Sequence, residues 1–206
     1  MKSHQFLIII VVLFSIVLMS GCCSFSGSAH PEPVTTSSTT PTPKPTSSAT
    51  PAPAGFAKSN PASIGDTVHY TDTYGGSDYE AELTITEVVR GAPATKMMQD
   101  ANMFNGVPSD DNMEWFLLKV TFHLISYVKD TEFYVSTNDF NTISNNEKLS
   151  GFIGAIEPSP EFSGSIYGGA TKTGWVAMGA YKDDPRPYII YKKGYGSDGG
   201  VWFRAS

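Results

Sequence analysis

Ten consecutive residues, Trp115 to Leu124, alternate with a period of two. One face reads Phe116, Leu118, Val120, Phe122 and Leu124, all apolar; the other reads Trp115, Leu117, Lys119, Thr121 and His123, a mixture. Successive side chains of a strand point to opposite faces, so this pattern predicts a strand with one face on a core and one outside it. Ala81 to Arg90 repeats the pattern, with Leu83 and Ile85 against Thr84 and Thr86. Shorter strands are predicted at Thr67–Tyr70, Glu132–Ser136, Asn138–Ile143, Thr173–Met178, Tyr188–Tyr191 and Val201–Arg204. Turn residues separate them: Gly75-Gly76, Gly91, Asn145-Asn146, Gly168-Gly169 and Asp198-Gly199-Gly200. About eight short strands with turns between them predict an all-β fold, an antiparallel β-sandwich over residues 63–206. Only Ala94–Met103 reads as a helical turn or two.

The chain ahead of that domain reads as an address. Lys2 precedes an apolar run from Phe6 to Met19. As a helix this run reaches only about 21 Å, short of the roughly 30 Å hydrocarbon core of a bilayer, which suits the hydrophobic region of an export signal. Met19-Ser20-Gly21-Cys22 resembles a lipobox, with small Gly21 just before the acceptor thiol, so residues 1–23 read as a signal peptide whose lipid anchor is Cys22. Extending the run through Phe25 gives the alternative of an uncleaved membrane anchor; free secretion is the third. In each case the C-terminal domain faces the extracellular side of the cell membrane. Residues 24–62 are rich in Ser, Thr and Pro. Such a tract buries too little apolar surface to offset the entropy of ordering, so a disordered linker is expected. Extended, it would reach on the order of 100 Å, with or without O-linked sugar.

Residues 63–206 carry eleven Lys/Arg and nineteen Asp/Glu, a net charge of −8. That balance disfavours a nucleic-acid partner. The two cysteines, Cys22 and Cys23, both lie in the leader. The domain therefore holds no disulfide, no thiolate metal site and no thiol nucleophile.

Several stretches together resemble domain-of-unknown-function family 4352, the immunoglobulin-like extracellular domains of prokaryotic lipoproteins. Gly65-Asp66-Thr67-Val68 is similar to the family's opening strand. Pro108-Ser109-Asp110-Asp111 followed by Glu114–Phe122 resembles its turn and long central strand. Asp139-Phe140 resembles a short strand motif, and Gly169 through Val176 a late Gly-bounded strand. Leu124-Ile125-Ser126-Tyr127 departs from the family's usual turn, and the stretch from Lys182 to Gly200 is longer. The resemblance implies an immunoglobulin-like sandwich in the cell envelope and no reaction.

The search for chemistry returns little. His69 and His123 fall on predicted strands without His-x-His or His-Glu-x-x-His spacing. Ser165, in Gly164-Ser165-Ile166, lacks the second glycine of a nucleophile elbow. Asp110-Asp111 and Asp183-Asp184 are acidic turns without the register of a calcium loop. No cofactor or metal is expected. Aromatic side chains are the remaining candidates, since Tyr and Trp join large contact area to low rotamer entropy. Trp115, Leu117 and His123 on the mixed face, with Tyr188, Tyr191 and Trp202 near the C-terminus, form the expected binding set; filling a sandwich core is the competing role. These features predict a tethered module that contacts an envelope protein or glycan rather than an enzyme. A structural envelope component without a ligand is the alternative, and it predicts no exposed aromatic patch on the folded domain.

Overall fold

The computed structural model describes residues 52–128, 130–192 and 199–205. The export signal, Cys22 and the linker up to residue 51 lie outside the described residues. Among the described residues, no helix is long and apolar enough to cross a membrane.

The elements run β1 (Ala62–Ser63), β2 (Thr67–Tyr74), β3 (Ser77–Arg90), α1 (Ala92–Ala101), β4 (Met113–Ser126), β5 (Phe133–Val135), β6 (Phe140–Ile143), β7 (Leu149–Gly151), β8 (Gly164–Ile166), β9 (Thr171–Tyr181), β10 (Tyr188–Tyr191) and β11 (Val201–Arg204). One sheet has the order β2-β3-β4-β9 and is wholly antiparallel. The other has the order β1-β11-β10-β6-β7, antiparallel except where β1 runs parallel to β11. β5 and β8 form a separate two-stranded ribbon. The fold is a mainly antiparallel β-sandwich.

The predicted core face of β4 is the core. Phe116, Leu118, Val120, Phe122 and Leu124 are buried in one cluster with Leu83 and Ile85 of β3 and with Phe140, Ile189, Tyr191 and Phe203 of the facing sheet. Fully burying one such side chain contributes on the order of 1.5–3 kcal/mol. Without a disulfide, this cluster holds the two layers together.

The other face of β4 differs from expectation. Its first half is covered by α1: Trp115 and Leu117 are buried with Trp175 and Ala177 of β9 beneath Ala94 and Met98. The expected turn or two is a ten-residue helix, with a proline in its first turn, where the missing N–H costs nothing. Gly91 caps it at φ 67°, a backbone conformation that other residues resist. Only the second half of the face, Lys119 to His123, meets solvent.

Most predicted strands run longer or shorter than expected, and two boundaries change what an element is. Residues assigned by composition to the linker are part of the sandwich: Trp202 N donates to Gly55 O at 2.8 Å, and Ala62 sits buried opposite Phe203. The predicted strand at Asn138–Ile143 begins at Phe140, because Thr137–Asp139 form a 3-10 turn. β1, β7 and β8 are two or three residues long, too short for a period to register in sequence.

The edge strand β9 is closed by a strap. Trp175 N donates to Pro160 O, Phe162 N donates to Trp175 O, and Ala177 N donates to the carboxylate of Glu157. An open sheet edge invites pairing with other chains, and residues 157–162 occupy this one.

Candidate functional site

The loop from α1 to β4 carries apolar side chains outward. Phe104 is 85%, Met103 81% and Val107 69% exposed. The loop between β7 and β8 adds Phe152, Ile153 and Ile156. These six are a majority of the eleven exposed large hydrophobic side chains among the described residues, so the exposure is concentrated rather than scattered. Single exposed apolar residues are ordinary; a cluster on adjoining loops marks a contact surface.

Asn105 makes this platform rigid. Its side chain is buried; Nδ2 donates to Met98 O at 2.7 Å and to Ile156 O at 2.7 Å, while Oδ1 accepts from Ile156 N at 3.0 Å. One amide thereby ends the helix and clamps the two loops together. Trp115 Nε1 donates to Gly106 O at 2.8 Å, and Phe104 N donates to Asn102 Oδ1 at 2.9 Å. Pro108 is buried beneath the loop. The exposed side chains therefore stand on backbone tied at several points, which lowers the ordering cost of any contact they make.

Two hollows flank the ridge formed by Val107, Pro108, Asp110 and Met113, which lines both. The first, about 220 Å³, is walled by Phe104, Trp115, Ile153 and Ala155. The second, about 280 Å³, is walled by Thr95, Asp111, Glu114 and Lys182. Glu114 is bound by Arg90, whose Nε donates to Oε1 at 2.6 Å. Asp111 offers its backbone O to Lys182 Nζ at 2.8 Å.

The expected binding residues are dispersed. Trp115 and Leu117 lie beneath α1, and Trp115 reaches the platform only as the back wall of the first hollow. Trp202 is buried with Ile143 and Ile190, Tyr191 lies in the main core, and Tyr188 is half-buried against Trp202. His123 is half-exposed, its Nδ1 3.2 Å from Glu82 Oε2. These side chains form no common surface, and most of the aromatic ones fill the interior. Asp183 is exposed, whereas Asp184 is buried, accepting from Asn145 N, Asn145 Nδ2 and Arg186 N, so it serves the fold. Among the described residues, no three His, Cys, Asp or Glu side chains converge as a metal site.

A second polar cluster plugs one end of the sandwich. Lys192 Nζ lies 2.9 Å from Tyr79 Oη, and that hydroxyl donates to Asp72 Oδ2 at 3.3 Å. The rings of Tyr74, Tyr79, Phe133 and Tyr191 surround the ammonium at 4.6–5.8 Å. Burial lowers the pKa of Lys192, and the charges of Asp139 and Asp72 oppose that fall. Burial raises the pKa of Asp139 against the pull of Lys192, and it raises Tyr70, Tyr79 and Tyr191 as well, so these phenols stay neutral. The arrangement holds a cation inside an aromatic box.

Sequence reasoning passed over the platform. The signal was present in Met103-Phe104-Asn105-Gly106-Val107: three large apolar residues at and beyond the end of the expected helix, in a turn-forming stretch.

No family model matches the chain, and no curated protein is similar to it. Among solved structures, the chain is similar to a secreted protein of Mycobacterium tuberculosis, MPT63, at 13% identity over 71% of this chain and 97% of that one, with a TM-score of 0.47. It is similar to the yjhA protein of Bacillus subtilis at 15% identity over 70% and 99%, with a TM-score of 0.43. It is also similar to the lipoprotein candidate ycdA of Bacillus subtilis at 16% identity and a TM-score of 0.43; there it covers 60% of this chain and only 35% of the other.

Proposed function

We propose that this chain is an exported contact module, tethered to the cell membrane through Cys22, whose working surface is the platform of Met103, Phe104, Val107, Phe152, Ile153 and Ile156. The observation that carries this reading is the pairing of strong apolar exposure with a backbone pinned by Asn105. A surface loop kept only for connection needs no such exposure, and a ligand-free structural component predicts no patch of this kind. The reading is contact rather than catalysis: His69 and His123 each pair with a single glutamate, Glu80 and Glu82 respectively, on a solvated sheet face. The apolar run, the lipobox-like Met19-Ser20-Gly21-Cys22 and the Ser/Thr/Pro linker support the tether. Holding the domain near the membrane raises its effective concentration toward neighbours, so modest contacts suffice.

The test uses the full chain in its own membrane. A photo-crosslinking residue at Val107 is expected to form discrete protein adducts that vanish when Phe104→Ser is added. A control crosslinker at Thr84, beside Thr67 and Thr121 on the solvent face of the sheet and away from the loops, is expected to form none. Equal adducts from both positions, or none at Val107, would overturn the platform reading. A Cys22→Ser protein that still labels with lipid would overturn the anchor.

A further inference from the structure

We infer that a second site, at the end of the sandwich remote from the platform, holds one neutral sugar ring. A hollow of about 270 Å³ lies there, walled by Phe56, Tyr70, Asp72, Tyr191 and Lys192. The register Tyr70–Ala81–Leu124 sets it toward the C-terminal end of β4, whereas Met113, at the N-terminal end, adjoins the platform. The two sites share no residue, so each stands or falls alone.

Two observations point to the occupant. The first is a pair of phenols. Tyr70 is 7% and Tyr191 0% exposed, and their rings pack edge to face at 6.2 Å. Burial, and after it Tyr191, raises the pKa of Tyr70, so the two hydroxyls are neighbours; yet among the described residues neither meets a partner in hydrogen-bonding geometry. Buried polar groups are nearly always paired, and an unpaired one carries a desolvation cost that a bound hydroxyl would offset.

The second is the state of the charges beside them. Tyr79 Oη bridges Lys192 Nζ, at 2.9 Å, and Asp72 Oδ2, at 3.3 Å. The hollow thus presents opposite charges already joined and two neutral groups unmet. An ionic ligand would compete with that bridge; a neutral polyol need not. A sugar hydroxyl both donates and accepts, so neighbouring hydroxyls of one ring can meet the two phenols while another donates to the spare lone pairs of Asp72. Phe56, 44% exposed, adds an aromatic surface for the sugar's C–H groups. The volume falls just under the usual range of small-molecule sites, which suits a single ring rather than a chain of them.

Saturation-transfer NMR on the full chain in a non-glycosidic detergent tests the site. The probes are the methyl glycosides of glucose, galactose, mannose and N-acetylglucosamine, with alanine as a zwitterionic control. Saturation is expected to reach at least one glycoside and not alanine. Affinity for that glycoside is expected to fall about tenfold in the Tyr70→Phe, Tyr191→Phe double variant, and by a similar factor in Phe56→Ala. Thermal melts of the double variant separate binding from structure, since deleting hydroxyls that lack partners in the fold is expected to leave Tm unchanged or raised. A clear drop in Tm would show the phenols to be paired within the protein and overturn the inference. Saturation of no glycoside, saturation of alanine, or full binding by the double variant would overturn it as well.

Discussion

Asn105 grips Ile156 by both of its backbone polar groups: Nδ2 donates to Ile156 O at 2.7 Å, and Oδ1 accepts from Ile156 N at 3.0 Å. The same amide nitrogen donates to Met98 O, the carbonyl also used by Asn102 N at the helix end. Asn105→Ala therefore strips three hydrogen bonds and leaves backbone groups poorly paired, at a cost of about 2–3 kcal/mol. Chemical denaturation of the variant is expected to show that loss. Hydrogen exchange at Ile156 N is expected to accelerate well beyond the global change, because the loops separate locally before the sandwich opens.

Gly174 sits where the strap crosses β9. A Cβ at this position would lie 2.5 Å from the carbonyl carbon and oxygen of Glu161 and from Phe162 N, all backbone atoms that cannot turn aside. Gly174→Ala is expected to push residues 160–162 off the strand and destabilise the fold by about 1–3 kcal/mol. Gly179→Ala provides the contrast: its nearest neighbour, at 2.4 Å, is Met113 Cε, the free end of a flexible side chain. Comparable losses of thermal stability in the two variants would refute the strap's need for close approach. An opened β9 edge should also raise the tendency to self-associate, measured by light scattering.

What the sequence disclosed divides at β4. The alternation from Phe116 to Leu124 was legible because a period of two admits one reading, and those side chains make the core. The fate of Trp115 and Leu117 was not legible. It depends on α1, whose Ala94 and Met98 are its only buried residues and leave too weak a stripe to announce a covering helix. Trp202 and Tyr191 resisted assignment for a related reason, since an aromatic residue on a strand serves core and surface equally well until its neighbours are known. Met103 closes the expected helical stretch, and Phe104 and Val107 follow it in a turn-forming run, where spacing alone does not tell a buried stripe from an exposed one. Asn105, which organises it, acts through Ile156, fifty-one residues away.

Lys192 is half-buried at the margin of the core, held by one hydrogen bond and four rings. Lys192→Ala removes the partner of Tyr79 Oη and opens a void beside Tyr191 and Phe133. A loss of about 2–4 kcal/mol is expected from the combined cavity and hydrogen-bond effects. Lys192→Met keeps the stem and removes the ammonium, so it separates packing from charge. If the cation's attraction to the rings outweighs its desolvation, Met is expected to be less stable than the wild type in thermal melts at neutral pH. A Met variant more stable than the wild type would show burial to be the larger effect.

Glu157 ties the strap to β9 and to the turn before β6: its Oε1 accepts from Ala177 N at 3.1 Å and from the hydroxyl of Thr137. Burial raises its pKa above the ordinary 4.5; the two hydrogen bonds work against that rise, and Glu161 adds to it. A carboxyl whose pKa is higher folded than unfolded binds its proton more tightly in the native state. Its favourable contribution is complete below about 4.5, the unfolded value, and drains away as pH climbs through the raised folded value. Glu157→Gln keeps an acceptor for both donors and cannot ionise. The difference in unfolding free energy between the Gln variant and the wild type is thus expected to shift in favour of Gln as pH rises from 4 to 7. Asp139 carries a raised pKa of the same sign in both proteins, so its pH dependence cancels in the difference. Urea titrations at half-unit intervals measure the slope. A difference that stays flat, or that favours Glu increasingly toward neutral pH, would mean that the hydrogen bonds from Thr137 and Ala177 outweigh the burial of the charge.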